Sequence, residues 1–176
     1  DQTNLAGYLS FEMKFSPTFR SIIGLRGENY FTYYTGQDAS GKREFNDEKI
    51  TDTFDIFPSS NFILAVTENS NMRFSYSKTT ARPSFKEASI VQIFDPLSNI
   101  TFIGNIDLKP TYIDNLDLRF ENFGDGNQMF AFSAFYKKFK DPIELSYFES
   151  ARENFQPRNL GNATVYGAEI ELRRNL

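Results

Sequence analysis

NMRFSYSKTTARPSF, residues 71–85, decides the fold. Met72, Phe74 and Tyr76 are apolar or aromatic, and Arg73, Ser75 and Ser77 between them are polar. A period of two of this kind makes a half-buried β-strand. At Ala81-Arg82-Pro83 the proline removes a ladder donor, so regular pairing should loosen there and a loop begin. An irregular segment follows and closes on GNIDLKP, residues 104–110.

Alternation extends on both sides of this stretch. Upstream, Leu5, Gly7, Leu9, Phe11, Met13 and Phe15 alternate with Ala6, Tyr8, Ser10, Glu12 and Lys14. Ser16-Pro17-Thr18 makes a short turn. A return strand, running to about Tyr34, carries Phe19, Ile23, Leu25, Phe31 and Tyr33 on one face and Arg20, Arg26 and Glu28 on the other. It is longer than the roughly 9–11 residues that a tilted strand needs to cross a bilayer. Residues 35–50, TGQDASGKREFNDEKI, are polar and aperiodic and read as a long loop. A strand pattern returns near Thr53 and continues through Phe62, Leu64 and Val66, and Glu68-Asn69-Ser70-Asn71 turns the chain into the opening stretch.

Downstream, residues 82–111 form the longest irregular piece, of a length that in compact domains usually serves function. Residues 112–123 alternate again, with Leu116, Leu118 and Phe120 against Asn115, Asp117, Arg119 and Glu121. Gly124-Asp125-Gly126 is a hairpin signal, because glycine and aspartate accept the positive φ of primed turns. Phe130, Phe132, Ala134 and Tyr136 share the next face, and the strand is expected to continue past Pro142 through Ile143, Leu145 and Tyr147. Residues 149–161 read as a third polar loop. The last strand sets Tyr166, Ala168, Ile170 and Leu172 against Glu169, Glu171 and Arg173.

The fold class expected is therefore all-β, an antiparallel up-and-down meander of about seven long strands. Its connections alternate short (at Ser16, Glu68 and Gly124) and long (at Thr35, Arg82 and Glu149). Outer-membrane barrels have short periplasmic turns and long extracellular loops in that order, and single-chain bacterial barrels have even strand numbers. An odd count implies a piece of a larger transmembrane β-barrel, with residues 1–176 as a partial barrel domain. The start at Asp1, without Met or a basic-then-apolar leader, fits a processed or excised chain. A lone sheet of this kind would have two unpaired edges, an aggregation hazard, so it should sit in a larger assembly or pair with a second copy.

Composition narrows the function. With no cysteine there is no disulfide framework or thiolate site, and with no histidine the usual general base is missing, so no catalytic residue is assigned. A net charge of -4 with both signs scattered gives no basic face, which argues against nucleic acid. Asp52 with Asp55, and Asp125 with Asn127, lack the further ligands of a calcium loop, so no metal and no cofactor is implied. Mean hydropathy is -0.46 and the longest apolar run is residues 62–66. That is far below the about 20 residues of a spanning helix, but a barrel of alternating strands stays open. Phe is 20 and Tyr 9 of the 176 residues. Clusters such as Phe15 with Phe19 and Tyr30 with Tyr33 fit interfacial girdles.

The motifs resemble those of TonB-dependent outer-membrane receptors. Ser75, Tyr76, Ser77, Thr80, Arg82 and Pro83 match a strand ending S-x-x-x-x-R-P before an extracellular loop; Gly104, Asn105, Leu108, Lys109 and Pro110 match the loop's closing G-N-x-x-L-x-P. Phe135-Tyr136-Lys137-Lys138 followed by Asp141-Pro142-Ile143-Glu144, and residues 162–172 with Gly167-Ala168-Glu169, resemble two later strands of the family. The plug domain, the segment that contacts the energising protein, further strands and an aromatic terminus in place of Leu176 are not seen, so the resemblance covers about a third of such a barrel, from its second half.

The resemblance implies uptake of a scarce nutrient across the bacterial outer membrane, with a ferric siderophore first among substrates and a glycan or cobalamin behind. The partners implied are outer-membrane lipid, a TonB-type energising protein acting through the missing plug, and an extracellular small-molecule or glycan ligand. On a barrel strand the apolar face meets lipid and the polar face the lumen. Arg26, Glu28, Arg73, Asp117, Arg119, Glu169, Glu171 and Arg173 should then line the interior and pair across strands. Arg82, Pro83, Gly104, Asn105, Leu108 and Pro110 should shape the long loop rather than touch ligand. Two alternatives have other signatures. A small soluble up-and-down barrel binding an apolar ligand would turn its apolar face inward. An outer-membrane hydrolase would need a nucleophile–base pair that the chain cannot assemble without His or Cys.

Overall fold

A computed structural model of the chain describes residues 1–38, 41–126 and 128–174. The described residues form β1 (Gln2–Lys14), β2 (Phe19–Gln37), β3 (Glu44–Thr67), β4 (Ser70–Ala81), β5 (Gln92–Asp95), β6 (Ile100–Ile103), β7 (Thr111–Phe123), β8 (Met129–Lys140), β9 (Ile143–Phe148), β10 (Ala151–Asn159) and β11 (Asn162–Arg173). The long strands make a seven-stranded antiparallel sheet in the order β1-β2-β3-β4-β7-β8-β11, the meander expected. The four short strands make a second sheet, β5-β6-β10-β9, at the long-loop end. Between β1 and β11 the main sheet is open, not closed into a barrel.

The register puts every apolar stripe on one face. One row crosses the sheet as Met13, Ser21, Phe62, Phe74, Leu118, Ala134 and Ala168. The next, toward the long loops, is Phe11, Ile23, Ser60, Tyr76, Leu116, Tyr136 and Tyr166. A slip of one residue in any strand would break these rows, so the pattern itself fixes the register. Phe15, Phe19, Phe62 and Phe74 stack in succession near the short-turn end, with centroids 5.3, 6.4 and 6.3 Å apart.

Burial runs opposite to that of a water-soluble sheet. Much of the apolar face is exposed, with Leu116 at 36%, Leu118 at 41% and Tyr166 at 79%, while the carboxylate residues Glu28 and Glu121 on the polar face are only 8% exposed. Apolar exposure over several strands marks a surface that water does not cover.

On the polar face Gly167 lies opposite Phe135, and a Cβ there would stand 2.6 Å from that ring, so the glycine makes room for the aromatic.

Five expectations are corrected. Strand pairing reaches Gln37 and resumes at Glu44, so most of residues 35–50 is not loop. These ends of β2 and β3 lie beyond the apolar rows and need no apolar face, which is why they look aperiodic. The segment 82–111 holds β5 and β6, and 149–161 holds β10; their pairing partners are remote in sequence, including the parallel match of Phe155 with Phe102. The strand after Gly126 does not continue past Pro142: Asp141 takes φ 55, and β9 leaves for the second sheet. Tyr30 does not join Tyr33 in a girdle, because it faces the polar side and is 5% exposed. The expectations resting on Asn127 and Leu176 lie outside the described residues.

Candidate functional site

The densest polar cluster forms where β3 and β4 part. Their pairing ends at Ser59 with Ser77, beyond which β4 continues beside β7 and β3 beside β2. Pro58, just past this point, needs no partner on the β4 side. Glu28 and Asp55 are directly opposed on β2 and β3, a like-charge pair that destabilises a sheet unless a cation intervenes. Arg82, one residue beyond β4, supplies it. Its Nη2 lies 2.8 Å from Glu28 Oε2 and 3.6 Å from Asp55 Oδ2. Arg26 Nε donates to Glu28 Oε1 at 2.6 Å, and Tyr112 Oη donates to Asp55 Oδ1 at 2.5 Å. The Arg82 guanidinium sits 4.4 Å above the centre of the Tyr30 ring, a cation–π contact. The side chains of Arg82, Glu28 and Asp55 are 16%, 10% and 10% exposed, so the cluster is largely shielded from water.

A second set of contacts ties the loops to one another. Gly104 N donates to Val91 O at 2.9 Å, and a Cβ on Gly104 would stand 2.4 Å from Ser89 O, so the close backbone approach requires glycine. Asn105 N donates to Glu87 O at 2.7 Å, its Nδ2 donates to Pro157 O at 3.1 Å, and its Oδ1 accepts from Asp107 N. Leu108 is buried beneath the loop and Pro110 is buried before β7. Asn159 Nδ2 donates to the carbonyls of Lys109 and Asp141, both at 2.9 Å. At the loop's start Ser84 N donates to Glu87 Oε2 at 2.8 Å while Glu87 N donates to Ser84 Oγ, the reciprocal arrangement of a capping box.

The polar face carries a third system. Arg73 and Arg119 are directly opposed on β4 and β7, and Glu121 lies between them, 3.3 Å from Arg73 Nη2 and 2.8 Å from Arg119 Nε. Arg119 Nη2 is 3.2 Å from Glu171, which also meets Arg173 at 3.2 Å. The ion pairs alternate in sign from Arg73 through Glu121, Arg119 and Glu171 to Arg173.

The structure thus puts Arg26, Glu28, Arg73, Asp117, Arg119, Glu169, Glu171 and Arg173 on one face. Arg26 and Glu28 join Arg82; Arg73, Arg119, Glu171 and Arg173 join the ladder; Asp117 and Glu169 stand apart from both. Pro83, Gly104, Asn105, Leu108 and Pro110 lie around the packed loops. Sequence reasoning missed Asp55 and Tyr30 as partners of Arg82, and Tyr112 as the donor to Asp55. Only the opposition of Glu28 and Asp55, two strands away from β7, could have pointed to them.

Among the described residues no group of three or more His, Cys, Asp or Glu converges as a metal site. At the long-loop end, Ser98 Oγ and the Leu97 N–H hold the Asp95 carboxyl below its ordinary range. The hydrogen bond of Lys49 Nζ to Asp52, at 2.9 Å, raises the lysine above its own. Among the described residues no helix is long and apolar enough to cross a membrane, which says nothing of crossing by strands.

The model of the outer membrane protein beta-barrel family matches residues 1–176. No curated protein matches the chain. Among solved structures the chain is similar to the siderophore receptor PirA from Pseudomonas aeruginosa, at 18% identity and a TM-score of 0.73, covering 97% of this chain and 28% of that one. It is similar to the Serratia marcescens hemophore receptor HasR, solved as a double mutant with its hemophore HasA and heme, at 15% identity and a TM-score of 0.75, covering 97% and 31%. The copper transporter OprC matches at 16% identity and a TM-score of 0.74, covering 96% and 25%. The chain therefore spans between a quarter and a third of the length of these three proteins, and at such identities they share its fold.

Proposed function

The chain belongs to the outer membrane protein beta-barrel family, and from that premise we propose that it is one section of the wall of a TonB-dependent receptor that takes up a scarce nutrient. Family membership places it in the bacterial outer membrane, which removes the soluble-barrel alternative. The observation that carries the receptor reading is the pairing of two features: apolar rows, interrupted at Ser21 and Ser60, on a largely exposed face, and a shielded, ion-paired opposite face bounded by packed long loops. The apolar face meets lipid. The polar face lines the lumen, where Arg73, Glu121, Arg119 and Glu171 hold the wall and face a plug contributed by another part of the full-length protein. Arg82, Gly104 and Asn105 shape the loop surface that meets ligand outside the cell. The section supplies wall and loop surface, not catalysis.

A ferric siderophore is the substrate class proposed. It is the class of ligand named for one of the three similar structures, and the chain has their fold. The test is calorimetric titration of the purified full-length receptor with ferric catecholate and ferric hydroxamate chelates, an oligosaccharide series and cobalamin. Saturable binding of a ferric chelate supports the proposal. Binding of only a glycan or cobalamin, or of none, overturns the substrate class.

A further inference from the structure

The two long loops, residues 82–110 and 141–161, share one sheet. Each contributes a hairpin to it, β5 with β6 from the first loop and β9 with β10 from the second. Its two inner strands, β6 and β10, come from different loops and pair in parallel, Thr101 with Asn154 and Phe102 with Phe155. Side chains add to this pairing. Asn105 Nδ2 donates to the carbonyl of the fully buried Pro157, Gln156 Nε2 donates to the Gly104 carbonyl at 3.3 Å, and Lys109 N donates to Asn159 Oδ1 at 2.8 Å. A lone two-stranded hairpin is marginally stable at best in water. With β5 and β6 only four residues each, and β9 paired to β10 across a bulge, each hairpin depends on the other for its inner edge.

The same unit is set off from the wall. The chain passes between the two sheets at four points, and each carries a residue that interrupts a strand ladder. These are Pro83, Pro110, Pro142 beside Asp141 with φ 55, and Gly161 with φ 49. Proline has no N–H to donate, and a positive φ turns the backbone out of the extended form. The ladders of β4, β7, β8 and β11 therefore do not run on into the second sheet.

We propose that the two long loops are one two-state unit, which orders and disorders together while the main sheet stays folded. Loss of order in either loop strips the other of its inner neighbour, so the two share one opening free energy. By linkage, a ligand that contacts one loop steadies the other, and the outer surface answers as a single switch. This holds whichever ligand that surface takes.

The test is hydrogen exchange with mass spectrometry on the full-length protein in bilayer discs, without ligand, for two substitutions whose direct effects fall in one loop each. Gly104→Ala brings a Cβ to 2.4 Å from the Ser89 carbonyl, and the three atoms nearest that Cβ all belong to Ser89 of the first loop. Phe148→Ala removes the ring 4.9 Å from the Arg158 guanidinium, within the second loop. Gly104→Ala should quicken the amides of β9 and β10 about tenfold, by the same factor as those of β5 and β6. Phe148→Ala should quicken β5 and β6 by the factor it imposes on β9 and β10. Amides of residues 72–77 in the main sheet should keep wild-type rates. Phe148→Ala, the milder change, decides the matter should Gly104→Ala fail to assemble. Quickening confined to the loop that carries the substitution overturns the proposal, as does loss of main-sheet protection in step with the loops.

Discussion

Replacing Arg82 with methionine, which keeps bulk and removes charge, tests the cluster that seats the long loop. The change leaves Glu28 and Asp55 opposed across β2 and β3 with 10% side-chain exposure and no cation between them. Removing one partner of a buried ion pair costs about 3–5 kcal/mol. Arg26 still meets Glu28 at 2.6 Å and Tyr112 still donates to Asp55, so about 2–3 kcal/mol is expected here. Because every 1.4 kcal/mol is tenfold, amides of the tethered segment, such as those of Gly104 and Asn105, should exchange about thirty- to a hundredfold faster. The assay is hydrogen exchange with mass spectrometry on the full-length protein in bilayer discs. Adding Asp55→Asn, which removes the repulsion and keeps an acceptor for Tyr112, should restore at least half of the protection. Unchanged exchange in Arg82→Met, or no rescue by the second change, would refute the reasoning.

Three further outcomes are expected. Gly104→Ala drives a Cβ to 2.4 Å from the Ser89 carbonyl and should cost about 1–3 kcal/mol, read as earlier proteolytic cutting within residues 82–110 while the main sheet keeps its melting temperature. Leu118→Arg, on the apolar face, should lower the stability of the bilayer-inserted barrel by about 2–4 kcal/mol, whereas Ser75→Arg on the polar face should change it by about 0.5 kcal/mol or less; chemical unfolding in lipid vesicles separates the two. The Asp95 carboxyl, lowered from its ordinary 3.8 by Ser98 and Leu97, steadies its turn above pH 3.8, and that support is lost as pH falls through the lower folded value. Leu97 amide exchange should therefore quicken only below that pH, and Ser98→Ala should move the onset upward.

The seven strands and their faces were legible because each crosses a boundary between two environments, and that boundary writes a period of two into the sequence. Phe74 against Arg73, and Leu118 against Arg119, state the face without any knowledge of neighbours. The second sheet was not legible, because β5 and β6 are four residues each and β6 pairs with β10 far along the chain, so no local period exists to read. The mouth-side ends of β2 and β3 carry polar residues on both faces and resemble loop for the same reason. Arg82, Gly104 and Asn105 stood out by motif, yet their partners did not. Asp55 and Tyr30 reach Arg82, and Tyr112 reaches Asp55, only because β3 and β4 separate at Ser59 and Ser77, an event of tertiary structure that leaves no mark in the residues themselves.

The chain has no cysteine, which makes the central claim directly measurable wherever the rest of the full-length protein can be cleared of cysteines. Spin labels placed one at a time at residues 72–77 and 115–120 of the full-length protein in bilayers report collision with oxygen, which partitions into lipid, or with a water-soluble nickel chelate. A wall section predicts strict alternation: oxygen at Met72, Phe74, Tyr76, Leu116, Leu118 and Phe120, and the chelate at Arg73, Ser75, Ser77, Asn115, Asp117 and Arg119. Alternation of the opposite phase, or none, would contradict the assignment of this sheet to a membrane barrel with its apolar face outward.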